Sequence, residues 1–528
     1  MMTPRFYFLV SLPLFGLLVP QREAIPHPEG KPPYKSPLGL AVDRTGSRAY
    51  VALHTAGALA VVDLKAGKVL HEIAVGRKPT DVILDIDVVH VLCAEDNTVA
   101  TVDLKQGKVK ERQPRREVEK YLPDRIHDEE LADLEKAVGI PRVRARSGPF
   151  FVFQRPKANV PTTQVAQGWV FTNVLGYVGQ PRGQAYVLDE PQRGYADPSD
   201  LVQTHDGKTL YVACAGADVV LVVDPHRLYS LQNRLDSTIR DGKSLQYKED
   251  LTSSRHFVVA RIPTGINPRR LALSRDDKTL VVTNYLGDSL TVIDVATRKV
   301  VRTIGLGGPE PDAARRGEIL FHSGKMTFQG QFTCASCHPD GGADGLNWDL
   351  TRDGVGNFKN TKSLLGVRET APFGWEGSSP TLADRVAGTL RTLHRHEPTE
   401  AETSDLVAYL QSLPPPRPAP VPEKDRPAVE RGKALFEGKA ACVNCHHRAA
   451  LDDGKSHDVG TRGPTDVTDR FDTPALLGVS GTAPYLHDGR AQILEEVFTK
   501  HNTAQKHGAA HRLSKDELAD LLAYLKSL

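Results

Sequence analysis

Two short stretches of this chain have residue types and spacing suited to chemistry. Cys334-Ala335-Ser336-Cys337-His338 and Cys442-Val443-Asn444-Cys445-His446 both read C-x-x-C-H. Thiols at this spacing reach both vinyl groups of one haem from a single helical turn, and the adjacent imidazole reaches its iron. A zinc site or a disulfide has no need of a His directly after the second Cys in both copies. The motifs imply two covalently bound haem c groups, held by Cys334, Cys337, Cys442 and Cys445, with His338 and His446 on the irons.

The elements that must position these motifs are themselves duplicated. Arg316-Gly317-Glu318-Ile319-Leu320-Phe321 precedes the first motif, and Arg431-Gly432-Lys433-Ala434-Leu435-Phe436 precedes the second, 115 residues later. Asp405-Leu406-Val407-Ala408-Tyr409-Leu410 closes the first unit and Asp520-Leu521-Leu522-Ala523-Tyr524-Leu525 the second, again 115 residues on. Between them Thr370-Ala371-Pro372 matches Thr482-Ala483-Pro484 at an offset of 112. Two tandem all-α cytochrome c-like domains follow, at 309–413 and 428–528, joined by a Pro-rich connector at 414–427.

This half resembles the bacterial di-haem cytochrome c peroxidase and MauG family, through the paired motifs and the run Thr482-Ala483-Pro484-Tyr485-Leu486-His487-Asp488-Gly489-Arg490. The resemblance implies an oxidoreductase that uses hydrogen peroxide, with a small redox protein or a quinol-linked donor supplying electrons. MauG-like oxidation of a protein or organic substrate is the alternative, and a non-enzymatic electron-transfer module a third. It further implies a distal iron ligand at His501, where the peroxidases carry Met, with His507 nearby. Trp375 matches an inter-haem relay, and Asn360, Thr482 and Pro484 match a Ca²⁺ site. At the position equivalent to His501 the first domain has Thr389, and no His occurs between His338 and His394. The first haem is therefore expected to keep an open face unless His394 or His396 closes it. Glu397 stands near the family's catalytic Glu, as an acid/base for O–O cleavage. Asp340, Asp344, Asp349 and Asp353 do not have EF-hand spacing and read as turn residues.

The N-terminal half follows a different period. Tyr50–Asp63, His90–Asp103, Tyr211–Asp224 and Leu280–Asp294 each consist of a β-rich run, a small polar turn and a second run ending in Asp. Pro37, Pro79, Pro198 and Pro268 precede these Asp residues by 26, 24, 26 and 26 positions. A spacing near 40 residues suits the blades of a β-propeller. Residues 30–308 have room for seven such periods, and Val282-Thr283-Asn284 resembles the YVTN-type propeller repeat. Such a propeller offers a face for a protein substrate or partner. Residues 108–148 and 225–255 break the period and read as solvated insertions, with a docking arm as the alternative for the first.

Cys93, Cys214 and Asn284 share one repeat position, which points to buried, inert thiols rather than a disulfide. With 67 basic and 65 acidic residues the charge is balanced, which argues against a nucleic-acid partner. The apolar run Phe6–Val19 behind Arg5 reads as part of a cleaved signal peptide at 1–24. Export to the periplasm, or otherwise out of the cytoplasm, agrees with covalent haem attachment.

Overall fold

Each of the four aligned segments folds as the central hairpin of a four-stranded antiparallel sheet. The Asp at the end of each hairpin makes the next turn. Asp63 accepts from the backbone N–H groups of Lys65 (2.9 Å) and Ala66 (2.7 Å), and Asp103 does the same for Lys105 and Gln106. A short carboxylate suits this role because it replaces a backbone acceptor within the turn. Pro37, Pro79, Pro198 and Pro268 each open the first strand of a sheet, where a missing N–H costs no ladder bond. Directly across from them stand Leu53, Cys93, Cys214 and Asn284, all buried. Both cysteines are free thiols, as their repeat position implies.

The computed structural model describes residues 33–115, 143–144, 150–156, 171–177, 184–238, 251–349 and 356–528. The expected signal peptide (1–24), most of the 108–148 insertion and Asp353 lie outside the described residues. Among the described residues, five four-stranded sheets form, spanning 37–74, 79–114, 143–187, 198–263 and 268–305. The period arithmetic expected seven. Between Asp103 and Asp224 the described residues hold one full sheet, the last strand of the sheet before it and three strands of the next. One insertion contains helix α1 (Pro225–Thr238), set between the third and fourth strands of the 198–263 sheet. First strands adjoin one another: 37–42 meets 79–84, 198–203 meets 268–273, and 268–273 returns to 37–42. Among the described residues no helix is long and apolar enough to cross a membrane.

The C-terminal half is helical. The first unit contains α2 (Ala313–Phe321), α3 (Cys334–Cys337), α4 (Leu382–Thr389) and α5 (Glu400–Ser412). The second contains α6 (Arg426–Glu437), α7 (Leu494–Thr499) and α8 (Lys515–Ser527). The Pro-rich stretch 414–422 has no regular structure.

The duplicated Arg-Gly and Asp-x-x-x-Tyr motifs are one helix crossing built twice. Arg316 forms a two-pronged ion pair with Asp405, and Arg431 forms the same pair with Asp520. A Cβ on Gly317 would lie 1.9 Å from the Asp405 carbonyl oxygen, and one on Gly432 would lie 2.0 Å from that of Asp520. Only glycine permits so close an approach. Phe321 packs on Tyr409 at 5.1 Å, and Phe436 on Tyr524 at 5.3 Å. These crossings form the core of each unit and fix the segment that precedes each Cys pair.

The two halves meet at the first unit. Buried Arg315 of α2 donates to the Tyr285 carbonyl (3.1 Å) and pairs with Asp288 (3.2 Å). Gly194 N–H donates to the Gln329 carbonyl (2.5 Å), and Asn173 Nδ2 donates to that of Gln331 (3.0 Å). A Cβ on Gly194 would meet Gln331 at 2.5 Å, and one on Gly216 would meet Thr333 at 2.7 Å, so small residues are required at this seam.

Candidate di-haem site

Local chemistry shapes the first motif. Thr333 caps α3, and Ser336 closes a capping box with it. Both hydroxyls then donate to Asp197 of the β half, at 2.6 and 3.0 Å. Burial raises the Asp197 carboxyl above its usual range despite these bonds. Sequence reasoning missed this residue, because its partners lie 136 and 139 positions away.

His338 Nδ1 bonds the Gly342 carbonyl (3.1 Å), and His446 Nδ1 bonds that of Leu451 (2.7 Å). A carbonyl accepts, so Nδ1 carries the proton in both rings and Nε2 keeps its lone pair. This is the tautomer that an iron ligand requires. Burial lowers both pKa values, which keeps the imidazoles neutral. All four motif thiols are free, and burial pushes Cys334 up to about 12 and Cys442 to about 11. The donor set suits a covalently attached haem at each site.

A second His accompanies each of the first. His394 ends a π-turn (Leu390–His394), is 3% exposed, and bonds the Met326 carbonyl through Nδ1 (3.1 Å). Its ring lies edge-on to Phe332 at 5.0 Å, and Phe332 packs in turn on Phe171 of the β half. Burial lowers its pKa to about 4, with His338 among the charges acting on it. In the second unit His507 is likewise lowered to about 4, by burial and then by His446. Its Nδ1 is buried with no protein partner, as is Nε2 of His501. An unsatisfied buried nitrogen indicates a missing ligand. Asn502 holds the His507 backbone from both sides, through its side-chain oxygen and nitrogen. His394 and His507 are 113 residues apart, between the flanking offsets of 112 and 115.

Two expected candidates fall elsewhere. Glu397 is 74% exposed and paired with Arg391, so it does not face the motif. Left-handed backbone at Arg395 ends the π-turn, which leaves His394 buried and Glu397 in solvent. His396 instead bonds Glu402 at the start of α5 (3.2 Å). Asp344 and Asp349 accept backbone N–H groups, as turn residues do.

Between the units, Trp375 and His487 occupy equivalent repeat positions and meet edge-on at 6.4 Å. Trp375 Nε1 donates to the Asn360 carbonyl (2.7 Å), and Lys362 lies over its ring. His487 stacks on Phe471 and bonds Asp466 (2.8 Å), which also pairs with buried Lys359 (2.8 Å). The Asn360 side chain reaches the Pro484 carbonyl, while its Oδ1 stays buried without a partner. Thr482 uses its hydroxyl within its own turn, on the Val479 carbonyl.

Comparison with known proteins agrees with this geometry. Residues 311–416 match the family model for di-haem cytochrome c peroxidase, and residues 429–528 match that for cytochrome c. The hydrazine synthase gamma subunit of Kuenenia stuttgartiensis is 29% identical over 276 residues, covering 41% of this chain and 78% of that protein. The methylamine utilization protein MauG of Methylophilus methylotrophus is 27% identical over 278 residues, covering 41% and 82%. Cytochrome c551 peroxidase of Nitrosomonas europaea is 24% identical over 288 residues, covering 44% and 85%.

Proposed function

We propose, from the premise that the C-terminal half of this chain belongs to the di-haem cytochrome c peroxidase and MauG family, that hydrogen peroxide is the oxidant of this di-haem oxidoreductase and reacts at the first site. Haem c bound at the two motifs supplies the irons that exchange electrons and cleave the O–O bond. Cys334 and Cys337 hold the first group with His338, and Cys442 and Cys445 hold the second with His446. His507 would serve on the distal side of the second, since its Nδ1 is buried without a partner and Asn502 pins its backbone on both sides, with His501, whose Nε2 is likewise orphaned, as the alternative. At the first site His394 takes the role the sequence assigned to Glu397. Its Nδ1 proton is committed to Met326, so Nε2 is free to take a proton from peroxide and return it to the departing oxygen. Phe332 and Phe171 exclude water on that side.

The observation that carries this reading is a second His packed inside each unit, His394 anchored on the Met326 carbonyl and His507 left with an orphaned nitrogen. Trp375 serves as relay between the sites. Asn360 Oδ1 and the Pro484 carbonyl support a Ca²⁺ site there, completed by Thr482. The succession of adjoining first strands supports a propeller for the β half, and covalent haem chemistry supports export.

Stopped-flow spectroscopy with peroxide tests the function. With a small redox protein as donor, turnover is expected. With no donor, rapid return to the ferric spectrum marks a peroxidase, whereas a persistent oxidised spectrum favours the MauG-like reading. The β half sealed against the first unit makes that second reading worth separating. No spectral change with peroxide overturns both.

A further inference from the structure

One half-buried redox-capable pair lies outside the site described above. His54 and Tyr285 each follow the second strand of a sheet, at the same repeat position, in the sheets 37–74 and 268–305. The Tyr285 hydroxyl meets His54 Nδ1 at 3.0 Å, with ring centroids 5.8 Å apart. The first haem unit holds Tyr285 in place, since Arg315 of α2 donates to its carbonyl. Arg269 lies 5.6 Å from the ring centroid.

We propose that Tyr285 and His54 are a proton-coupled redox pair that carries oxidising equivalents from the first haem site into the β half. A phenol gives up an electron readily only if its proton leaves with it, and a hydrogen-bonded neutral imidazole is a suitable acceptor. Burial lowers His54 to about 4, so the ring is neutral at rest, and it raises Tyr285 to about 12, so the phenol keeps its proton. Asp340, two residues past His338, acts electrostatically on His54, Tyr285 and Tyr409. Tyr409 packs on Phe321 in the cluster that includes Cys334, and both Tyr285 and Cys334 act on it. Helix α2 joins the pair to the first motif, since its Arg315 holds Tyr285 and its Phe321 lies in the cluster that includes Tyr409 and Cys334.

In the step, Tyr285 passes one electron to the peroxide-oxidised first centre, which is reduced by one equivalent. The Tyr285 O–H bond breaks, and an N–H bond forms at His54 Nδ1. Lys78 and Arg269 oppose the new positive charge on His54, and Asp340 and Glu95 offset them. A small one-electron redox protein docked on the β half returns the electron to the Tyr285 radical, and the proton moves back from His54 Nδ1 to the phenol oxygen. Tyr285 touches no haem ligand, so it acts as a relay rather than as part of the peroxide site.

The proposal rests on peroxide as oxidant, so the test uses two oxidants. The holoprotein is freeze-quenched after peroxide addition without reductant, and separately after flash oxidation with photogenerated tris(bipyridyl)ruthenium(III). High-field EPR is expected to show a tyrosyl radical that is lost in Tyr285→Phe and altered in His54→Gln, with the resting haem spectrum unchanged. Phe keeps the ring and its Arg269 contact, so the fold is preserved. A tyrosyl signal of equal size in Tyr285→Phe, or none in the wild type with either oxidant, overturns the proposal. A radical with ruthenium alone and no haem change with peroxide would sink the peroxide reading and leave the pair standing.

Discussion

His338 and His446 use the same device, an Nδ1 proton given to a backbone carbonyl, and the same device recurs at His394. His507 differs, since its Nδ1 is buried without a partner. On the proposed reading His394 serves proton transfer, its Nδ1 bond leaving Nε2 free to take a proton, and the orphaned nitrogen of His507 serves iron. His394→Gln is expected to slow the reaction with peroxide by about 10²–10⁴-fold while leaving the ferric spectrum unchanged. The base is active when neutral, so the wild-type rate should fall as pH drops through about 4, and stopped-flow traces of the variant should lack that acid limb. The Cys and proximal His positions were legible in the sequence because covalent geometry leaves no freedom in their spacing. The distal positions were not. The two units drift from an offset of 112 to one of 115 between Pro372 and Asp405, so an ungapped count from His501 reaches Thr389 and passes over His394, which lies 113 residues before His507. Glu397 was misplaced for a local reason, the left-handed turn at Arg395.

At the scale of elements, the repeats were readable because each carries a residue with one physical task. Pro opens a strand, Asp closes a turn, and Gly317 and Gly432 allow two helices to touch. Gly432→Ala would set a methyl 2.0 Å from the Asp520 carbonyl oxygen. Backbone cannot yield as a flexible side chain does, so α6 and α8 must separate. A loss of about 1–3 kcal/mol is expected from such overpacking, read as a lower midpoint in urea unfolding of the holoprotein. The same change at exposed Gly481, where a Cβ meets nothing within 4 Å, is the control. The number of sheets was less legible. Among the described residues, α1 occupies length between two strands of one sheet without adding a sheet.

At the scale of the whole molecule, the β half is docked on the first haem unit, where Asp197 accepts from the two capping-box hydroxyls of α3 and Arg315 grips Tyr285. This seam also holds His54 and His322, lowered by burial to about 4 and about 3. An unfolded His titrates near ~6.5, so unfolding takes up protons below that pH. Their contribution is complete above pH ~6.5 and is lost as pH falls toward 4 and then 3. Thermal midpoints should decline over that window, and a His54→Gln, His322→Gln double variant should show a shallower decline. None of this seam could be read from one sequence, because its partners are separated by long stretches of chain. The central claim, that the two sites differ on their distal side, is tested most directly by low-temperature EPR of the resting ferric protein. One high-spin and one low-spin haem are expected, with the low-spin signal becoming high-spin in His507→Ala and unchanged in His501→Ala. Two low-spin haems that do not react with peroxide would contradict the account.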